Sequence, residues 1–335
     1  MNENALAFDR RFALGGIGAT LLAPAALAQT PAIPLTIAVS SNSLAYGGLR
    51  IAEQADLFAK NGIAAKIVVM DSGNAAMAAL VSGSAQFSAA GPGEVLAARV
   101  RGQKIIIVAN VYRGLSGSVI LSKVIASKLG DAVTSSQATK IKALDGLTIA
   151  APSATSAYLT PIKSAADAVG AKVKFVYMAQ PAMVAALATG AVQGMIAGAP
   201  FSLAPVTAGT GVLWLSGPKG DLPKEVLPAS SACYETTEDY AAKNPDHLRR
   251  FLQVFQDLAV FLKDQPAQGR QMLAKAFGQL TASDANATYD EEWQNWARPV
   301  ISVEDVKQEI AIQVSSGNLP GVEKIDPASV LWAPR

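Results

Sequence analysis

Three short polar loops carry the residues that could do chemistry. Ser41, Asn42 and Ser43 follow the apolar run Leu35–Ser40. Gly91, Pro92 and Gly93 follow Gln86–Ala90, and Thr155 and Ser156 lie just after Leu147–Ala150. Hydroxyls, a carboxamide and backbone N–H groups bared by glycine are neutral donors. At helix starts they are joined by the positive end of the helix dipole, so the set suits an acidic group on a small ligand. Each Ser or Thr taken singly is also a good N-cap, which is the competing reading. Tyr158 and Phe201 flank the loops and offer aromatic contact. Arg113 could grip a carboxylate bidentately or stand solvated at the surface. Glu94 admits two roles: in the first turn of a helix it complements the dipole, whereas facing a cleft it would repel a sulfonate or nitrate and favour an amine or a protonated ring nitrogen.

Composition excludes several classes. The chain has 335 residues, half of them hydrophobic and only 16% charged, with a formal net charge of +2. That balance does not suit nucleic acid. A single Cys and a single His rule out an intramolecular disulfide and a Cys/His metal cluster. Cys233 lies in an apolar segment and reads as a small buried hydrophobe. His247, between Asp246 and Leu248, reads as an exposed helix residue, and Trp293 with Trp296 as helix packing. Beyond the N-terminal segment there is no GxGxxG, phosphate-loop or GxSxG pattern. No catalytic residue, metal or cofactor is expected.

The elements that must position these loops occur in a repeat. Ala78–Gly91 (AALVSGSAQFSAAG) and Ala185–Gly198 (AALATGAVQGMIAG) share Leu, Gly, Gln, Ala and Gly at an offset of 107 residues, as Leu80 and Leu187 show. Each copy reads as the end of a helix stopped by Gly, then a short strand running into a glycine loop. Two such units predict two similar α/β lobes with the glycine loops as ligand contacts. Strands are expected at Leu35–Ser40, Ala65–Met70, Gln86–Ala90 and Lys104–Val111, forming a parallel sheet with helices on its faces. The pattern restarts with Ser118–Leu121, a turn-rich Ser127–Thr139, then Leu147–Ala150 and Lys174–Tyr177. After Ala229–Tyr234 the chain reads as helical: Pro245–Lys263, Ala267–Phe277, Asp290–Trp296 and Val303–Ser316, the last with a Ser302/Asp305 capping box and Gly317 as its stop. Having no sheet of its own, this block is expected to pack back on the first lobe.

The N-terminus reads as a targeting segment. Arg10-Arg11 precedes the apolar run Phe12–Leu27, and Ala26-Leu27-Ala28 is a small-residue cleavage site. The arginine pair is compatible with twin-arginine export. A membrane anchor is the alternative, although Gly15, Gly16, Gly18 and Pro24 interrupt the run.

The first strand through SGSAQFSAAG, the LDGLTIAAPSATSAY segment and YAAKNPDHLRRFLQVF together resemble the periplasmic substrate-binding proteins of nitrate/sulfonate/taurine-type ABC importers, over residues 35–300. The resemblance implies an α/β, two-lobe type II periplasmic-binding-protein fold with the ligand cleft between lobes and two crossing segments. Its divisions are a signal peptide over 1–28, a first lobe from 29–114 and 232–335, and a second from 115–231. It further implies periplasmic localisation, a small-molecule ligand such as a sulfonate, taurine, nitrate or carboxylate, a membrane permease as partner, and a monomer without nucleic acid, cofactor or catalysis. Ligand contacts would come from Ser41, Asn42, Ser43, Gly91, Pro92, Gly93, Thr155, Ser156, Tyr158, Phe201 and Arg113. A thiamin-pyrimidine precursor, an aromatic carboxylate and a non-transporting sensor role stay open beside it. An enzyme on the same fold is disfavoured by the lone Cys and His. Gln86 and Gln193 depart from the family pattern, where Asp is usual, and Pro161 is awkward for a helix.

Overall fold

The computed structural model describes residues 31–333. The expected export signal over 1–28, with its arginine pair and cleavage site, lies outside them. Among the described residues no helix is long and apolar enough to cross a membrane.

Two five-stranded sheets organise the chain. The first has the order β2-β1-β3-β10-β4, built from β1 (Ile33–Val39), β2 (Ile63–Val69), β3 (Phe87–Ala90), β4 (Ile105–Arg113) and β10 (Ser230–Thr237). The second has the order β7-β6-β8-β5-β9, built from β5 (Gly117–Ser122), β6 (Thr148–Ala151), β7 (Lys174–Tyr177), β8 (Gly194–Gly198) and β9 (Gly211–Ser216). Strands β2, β1 and β3 are parallel, but β10 runs antiparallel to both β3 and β4. The expected all-parallel sheet is therefore corrected: β3 and β4 are not neighbours. Hydrophobic periodicity marks a strand but says nothing about its partners. The second sheet repeats the scheme, with β5 antiparallel to β8 and β9.

The sequence repeat is a structural one. Gly83 and Gly190 both end their helices in the left-handed region, at φ +79° and +77°, where a Cβ is strained. Gln86 Oε1 accepts from the Thr36 N–H at 2.9 Å, and Gln193 Oε1 accepts from the Thr148 N–H at 2.7 Å. In each lobe the amide secures the strand beside it, a task an Asp acceptor would share.

Local chemistry accounts for several helix ends. Ser302 and Asp305 form the capping box of Val303–Ser316, and Gly317 ends that helix at φ 65°. Pro161 falls in the first turn of Leu159–Ala168, where its missing N–H has no intrahelical acceptor. The segment Gly47–Lys60 forms two helices, Gly47–Gln54 and Leu57–Lys60, divided at Asp56, whose φ is 55°. The turn-rich stretch after β5 contains two short helices, Lys123–Lys128 and Gln137–Lys142. The helix expected from Asp290 starts earlier, at Ala282, under a Thr281 cap.

The chain leaves the first sheet after Arg113, enters the second at Gly117, leaves it after Ser216 and re-enters the first at Ser230. The two crossings are sewn together. Gly114 N–H donates to the Ala229 carbonyl at 2.9 Å, and Ser116 N–H donates to Ser231 Oγ at 2.8 Å.

The helical tail divides its packing. Pro245–Asp264 drives Phe251 onto Phe87, stacked at 3.8 Å, and Phe255 onto Tyr234 at 4.2 Å, inside the first lobe's core. Val303–Ser316 departs from the expectation and bridges to the second lobe. Lys163 Nζ donates to the Ser316 carbonyl at 2.7 Å, and Ser164 and Ser315 share a hydrogen bond at 2.9 Å. Beside Val306 and Ile312, the buried face of this helix carries Glu309, Gln313 and Ser316, so an apolar pattern discloses it only in part.

Candidate functional site

A small cavity of about 30 Å³ lies where the two sheets face each other. From the first lobe it is lined by Ser40, Ser41, Tyr46, Asp71, Gly73, Gly91 and Glu94; from the second by Pro152, Ser156, Ala157, Tyr158 and Gln180; and from the return crossing by Ser231. A volume of 30 Å³ holds about two water-sized groups. The cleft is thus shut around room for a head group, and a larger solute must enter with the lobes apart.

The strand ends set this geometry. β1 delivers Ser40, whose Oγ lies 2.5 Å from Tyr46 Oη; that phenol donates to the Ala89 carbonyl at 3.0 Å, tying the loop to β3. β6 delivers Ser153 and Ser156, and the Ser156 Oγ accepts from the Tyr158 N–H at 3.1 Å. Tyr158 crosses the cleft: Ser116 Oγ donates to its Oη at 3.0 Å, and Ser43 Oγ lies 3.4 Å away. Leu44 N–H donates across the lobes to the Ala199 carbonyl at 2.6 Å. On the second lobe, Gln180 Oε1 accepts from Gly198 N–H at 2.8 Å, which holds the amide at the cavity wall.

Of the residues expected to contact ligand, Ser41, Gly91, Ser156 and Tyr158 line the cavity, and Ser43 reaches it through Tyr158. The others are placed differently. Asn42 Oδ1 accepts from Arg50 Nη2 at 3.4 Å. Pro92 is the first residue of the helix Pro92–Val100. Gly93 and Thr155 meet backbone to backbone: a Cβ on Gly93 would stand 2.3 Å from the Thr155 carbonyl oxygen and 2.4 Å from Gln313 Nε2. Phe201 packs on the Ile120 and Met183 cluster of the second lobe. Arg113 is engaged elsewhere, since its two η nitrogens donate to Asp305 at 2.8 and 3.1 Å. Burial pushes Asp305 up, but hydrogen bonds from Arg113 and Ser302 outweigh it and hold the carboxyl below its ordinary range.

Glu94 takes the second of its two roles. It occupies the first turn of Pro92–Val100, yet it is only 3% exposed and faces the cavity. Ser153, from the opposite lobe, donates to Oε1 at 2.9 Å. Oε2 is buried and accepts no hydrogen bond from the described residues. Gly73 and Gly91 make room for it, as a Cβ at either would lie 2.7 or 2.6 Å from a carboxyl oxygen. Burial pushes this carboxyl up to about 8; the Ser153 hydrogen bond pulls the other way, and Glu235 and Glu309 add to the rise. Glu235 accepts from Ser88 Oγ, the Ala90 N–H and Cys233 Sγ at 2.5, 3.1 and 3.2 Å. Burial lifts Glu235, like Glu309, to about 7. Among the lining residues none is Lys, Arg or His, and the ionisable carboxyls are Glu94 and Asp71. Among the described residues no group of three or more His, Cys, Asp and Glu is placed to share a metal ion.

Sequence reasoning missed Tyr46, Asp71, Gly73, Gln180 and Ser231 as lining residues. Gln180 had a usable signal, since it opens the helix of the second repeat copy, next to the glycine loop that copy leads into. Ser231 had none, because β10 reads as a buried strand with no cleft-facing feature.

Comparison with known proteins fits this architecture. Several solved structures share the fold. A protein from Bordetella bronchiseptica RB50 superposes with a TM-score of 0.74 at 19% identity, covering 89% of this chain and 94% of its own. The alkanesulfonate-binding protein SsuA from Xanthomonas axonopodis pv. citri, bound to MOPS, gives 0.70 at 18% identity over 90% and 99%. The periplasmic nitrate-binding protein NrtA from Synechocystis PCC 6803 gives 0.69 at 14% identity over 88% and 86%. Among curated protein sequences none matches. The two mixed sheets, the paired crossings and the cleft between them make this the two-lobe periplasmic-binding-protein fold. Residues 29–277 match the NMT1-like family, and the chain belongs to that family.

Proposed function

We propose that the protein is an exported receptor that binds one small polar organic solute in the interlobe cleft and delivers it to an ABC-type permease. The observation that carries this reading is the cavity itself, whose wall is shared between first-lobe residues such as Ser41 and Glu94 and second-lobe residues such as Ser156 and Tyr158. A site divided in this way is completed only when the lobes meet, so binding and closure are the same event. The moving bodies are residues 29–114 with 232–335, and residues 115–231. Fold likeness to sulfonate- and nitrate-binding periplasmic proteins supports the same assignment. The cavity wall holds no imidazole, since the lone His247 pairs with the Tyr240 hydroxyl at 2.8 Å through Nδ1. The proposed role is binding without turnover.

The lining narrows the solute. Hydroxyls of Ser40, Ser41, Ser156, Tyr46 and Tyr158 can serve an acidic group as neutral donors. A bare nitrate, however, would find no cation in the wall to offset its charge and would oppose ionisation of the buried Glu94. The test is calorimetry of the mature protein with its solute, together with X-ray scattering. A stoichiometry of one, an unchanged solute and a smaller scattering radius are expected. Chemical conversion of the solute, or binding without closure, would refute the assignment.

A further inference from the structure

We infer that the solute presents a cationic nitrogen, an alkylammonium, amidinium or protonated ring nitrogen, to the free Oε2 of Glu94. This rests on the receptor reading and adds the chemistry of one subsite to it. Glu94 is buried, fixed through Oε1 to Ser153 of the opposite lobe, and left with an unpartnered oxygen at the cavity. A buried acceptor without a donor is costly, and native proteins leave few. An N–H of the solute would satisfy it. The room available is that of a single small head group.

Two arrangements could satisfy Oε2. An ionised carboxylate accepts from a cation, or a protonated acid donates to an anion. The surroundings select the first. Asp71 is at the cavity wall, Glu235 and Glu309 both act on Glu94, and Tyr46 and Tyr158 are the other titratable side chains facing it. Gln313, packed on Gly93, pairs with Glu309 rather than contributing charge. With no Lys, Arg or His in the wall, every nearby charge that forms is negative. A cation can draw these carboxyls into their ionised form, whereas the wall has no positive group to hold an anion.

The proton count follows for the closed cleft, where burial holds the Glu94 proton up to about pH 8. A cation must displace that proton, so binding at pH 7 releases one proton per solute. Affinity then rises by up to about tenfold per pH unit between pH 6 and 8. An anion drawn to the protonated acid would bind with nearly constant affinity over that range and weaken only as pH passes 8.

The experiment uses the mature protein and two sets of probes in thermal shift and calorimetry. One set carries nitrogen: taurine, ethanolamine, benzamidine and 4-aminopyridine. The other lacks it: ethanesulfonate, benzoate and nitrate. Stabilisation confined to the nitrogen set, with proton release and affinity rising with pH, is expected. Glu94→Gln should then lose about tenfold to a hundredfold in affinity while the empty variant melts no lower than wild type. Stabilisation by the nitrogen-free set alone, or affinity that does not rise with pH, overturns the cation subsite and leaves the receptor reading intact. No response to either set would sink both. If Glu94→Gln misfolds, proton release and the pH dependence of affinity in the wild-type protein decide between a cation and an anion on their own.

Discussion

Ser153 donates a 2.9 Å hydrogen bond to Glu94 Oε1, and the two residues belong to opposite lobes. The contact links closure of the cleft to the state of a buried acid. Removing the hydroxyl leaves both carboxyl oxygens unsatisfied, a cost of about 1–3 kcal/mol. Ser153→Ala is therefore expected to weaken closure, so that solute shrinks the scattering radius and raises the melting temperature less than in wild type. Solute responses identical to wild type would show that the hydrogen bond does not hold the lobes together.

Stability of the empty protein should fall as pH rises. Glu94, Glu235 and Glu309 have folded-state values of about 8, 7 and 7 against an ordinary 4.5. Below pH 4.5 both folded and unfolded chains are protonated and nothing is lost. Between that point and pH 7–8 the unfolded chain ionises while the native one keeps its protons, so stability declines. Each carboxyl contributes up to about 1.4 kcal/mol per pH unit in that window. Urea unfolding from pH 5 to 8 reads the slope, and Glu94→Gln should flatten it by one carboxyl's share.

Gly93 tests how tightly the lobes approach. A Cβ at that position would overlap the Thr155 carbonyl oxygen at 2.3 Å, and neither backbone can yield independently. Gly93→Ala is expected to wedge the cleft open, costing about 1–3 kcal/mol of closed-state packing. Scattering should then show a radius that solute no longer reduces.

Arg113 provides the control. Its partner Asp305 is also the capping residue of Val303–Ser316, and neither lines the cavity. Arg113→Ala should cost roughly 1 kcal/mol or less of stability and leave solute affinity unchanged. Because Asp305 sits below its ordinary range, the pair's contribution is present above that range and fades as pH falls through the folded value. A large loss of affinity would instead return Arg113 to the binding site.

Much of this was legible in the residue pattern. The repeat, the Gly83 and Gly190 stops, the Ser302 capping box and the glycine loop at Gly91 all rest on local chemistry, which sequence spacing displays. What escaped depends on partners far along the chain. Nothing in SSACYETT shows that β10 inserts between β3 and β4. Nothing in VEDVKQEIAIQVSS shows that Glu309 and Gln313 are buried. Arg113 carries the right chemistry for a ligand carboxylate, but the helix that supplies Asp305 lies some 190 residues later. Glu94 was poised between two roles, and only the placement of Ser153 on the facing lobe separates them.

The position of β10 also constrains when the first sheet can be completed during synthesis. The second sheet uses one continuous stretch, from Gly117 to Ser216, whereas the first cannot be completed until residues 230–237 exist to join β3 to β4. Until then both of those strands present unpaired edges, the condition that invites wrong pairings. As the chain is synthesised, the residues of the second sheet are therefore all made before the first sheet can be completed. The strand that completes it also carries Ser231, which binds Gly114 and Ser116 at the crossing and lines the cavity.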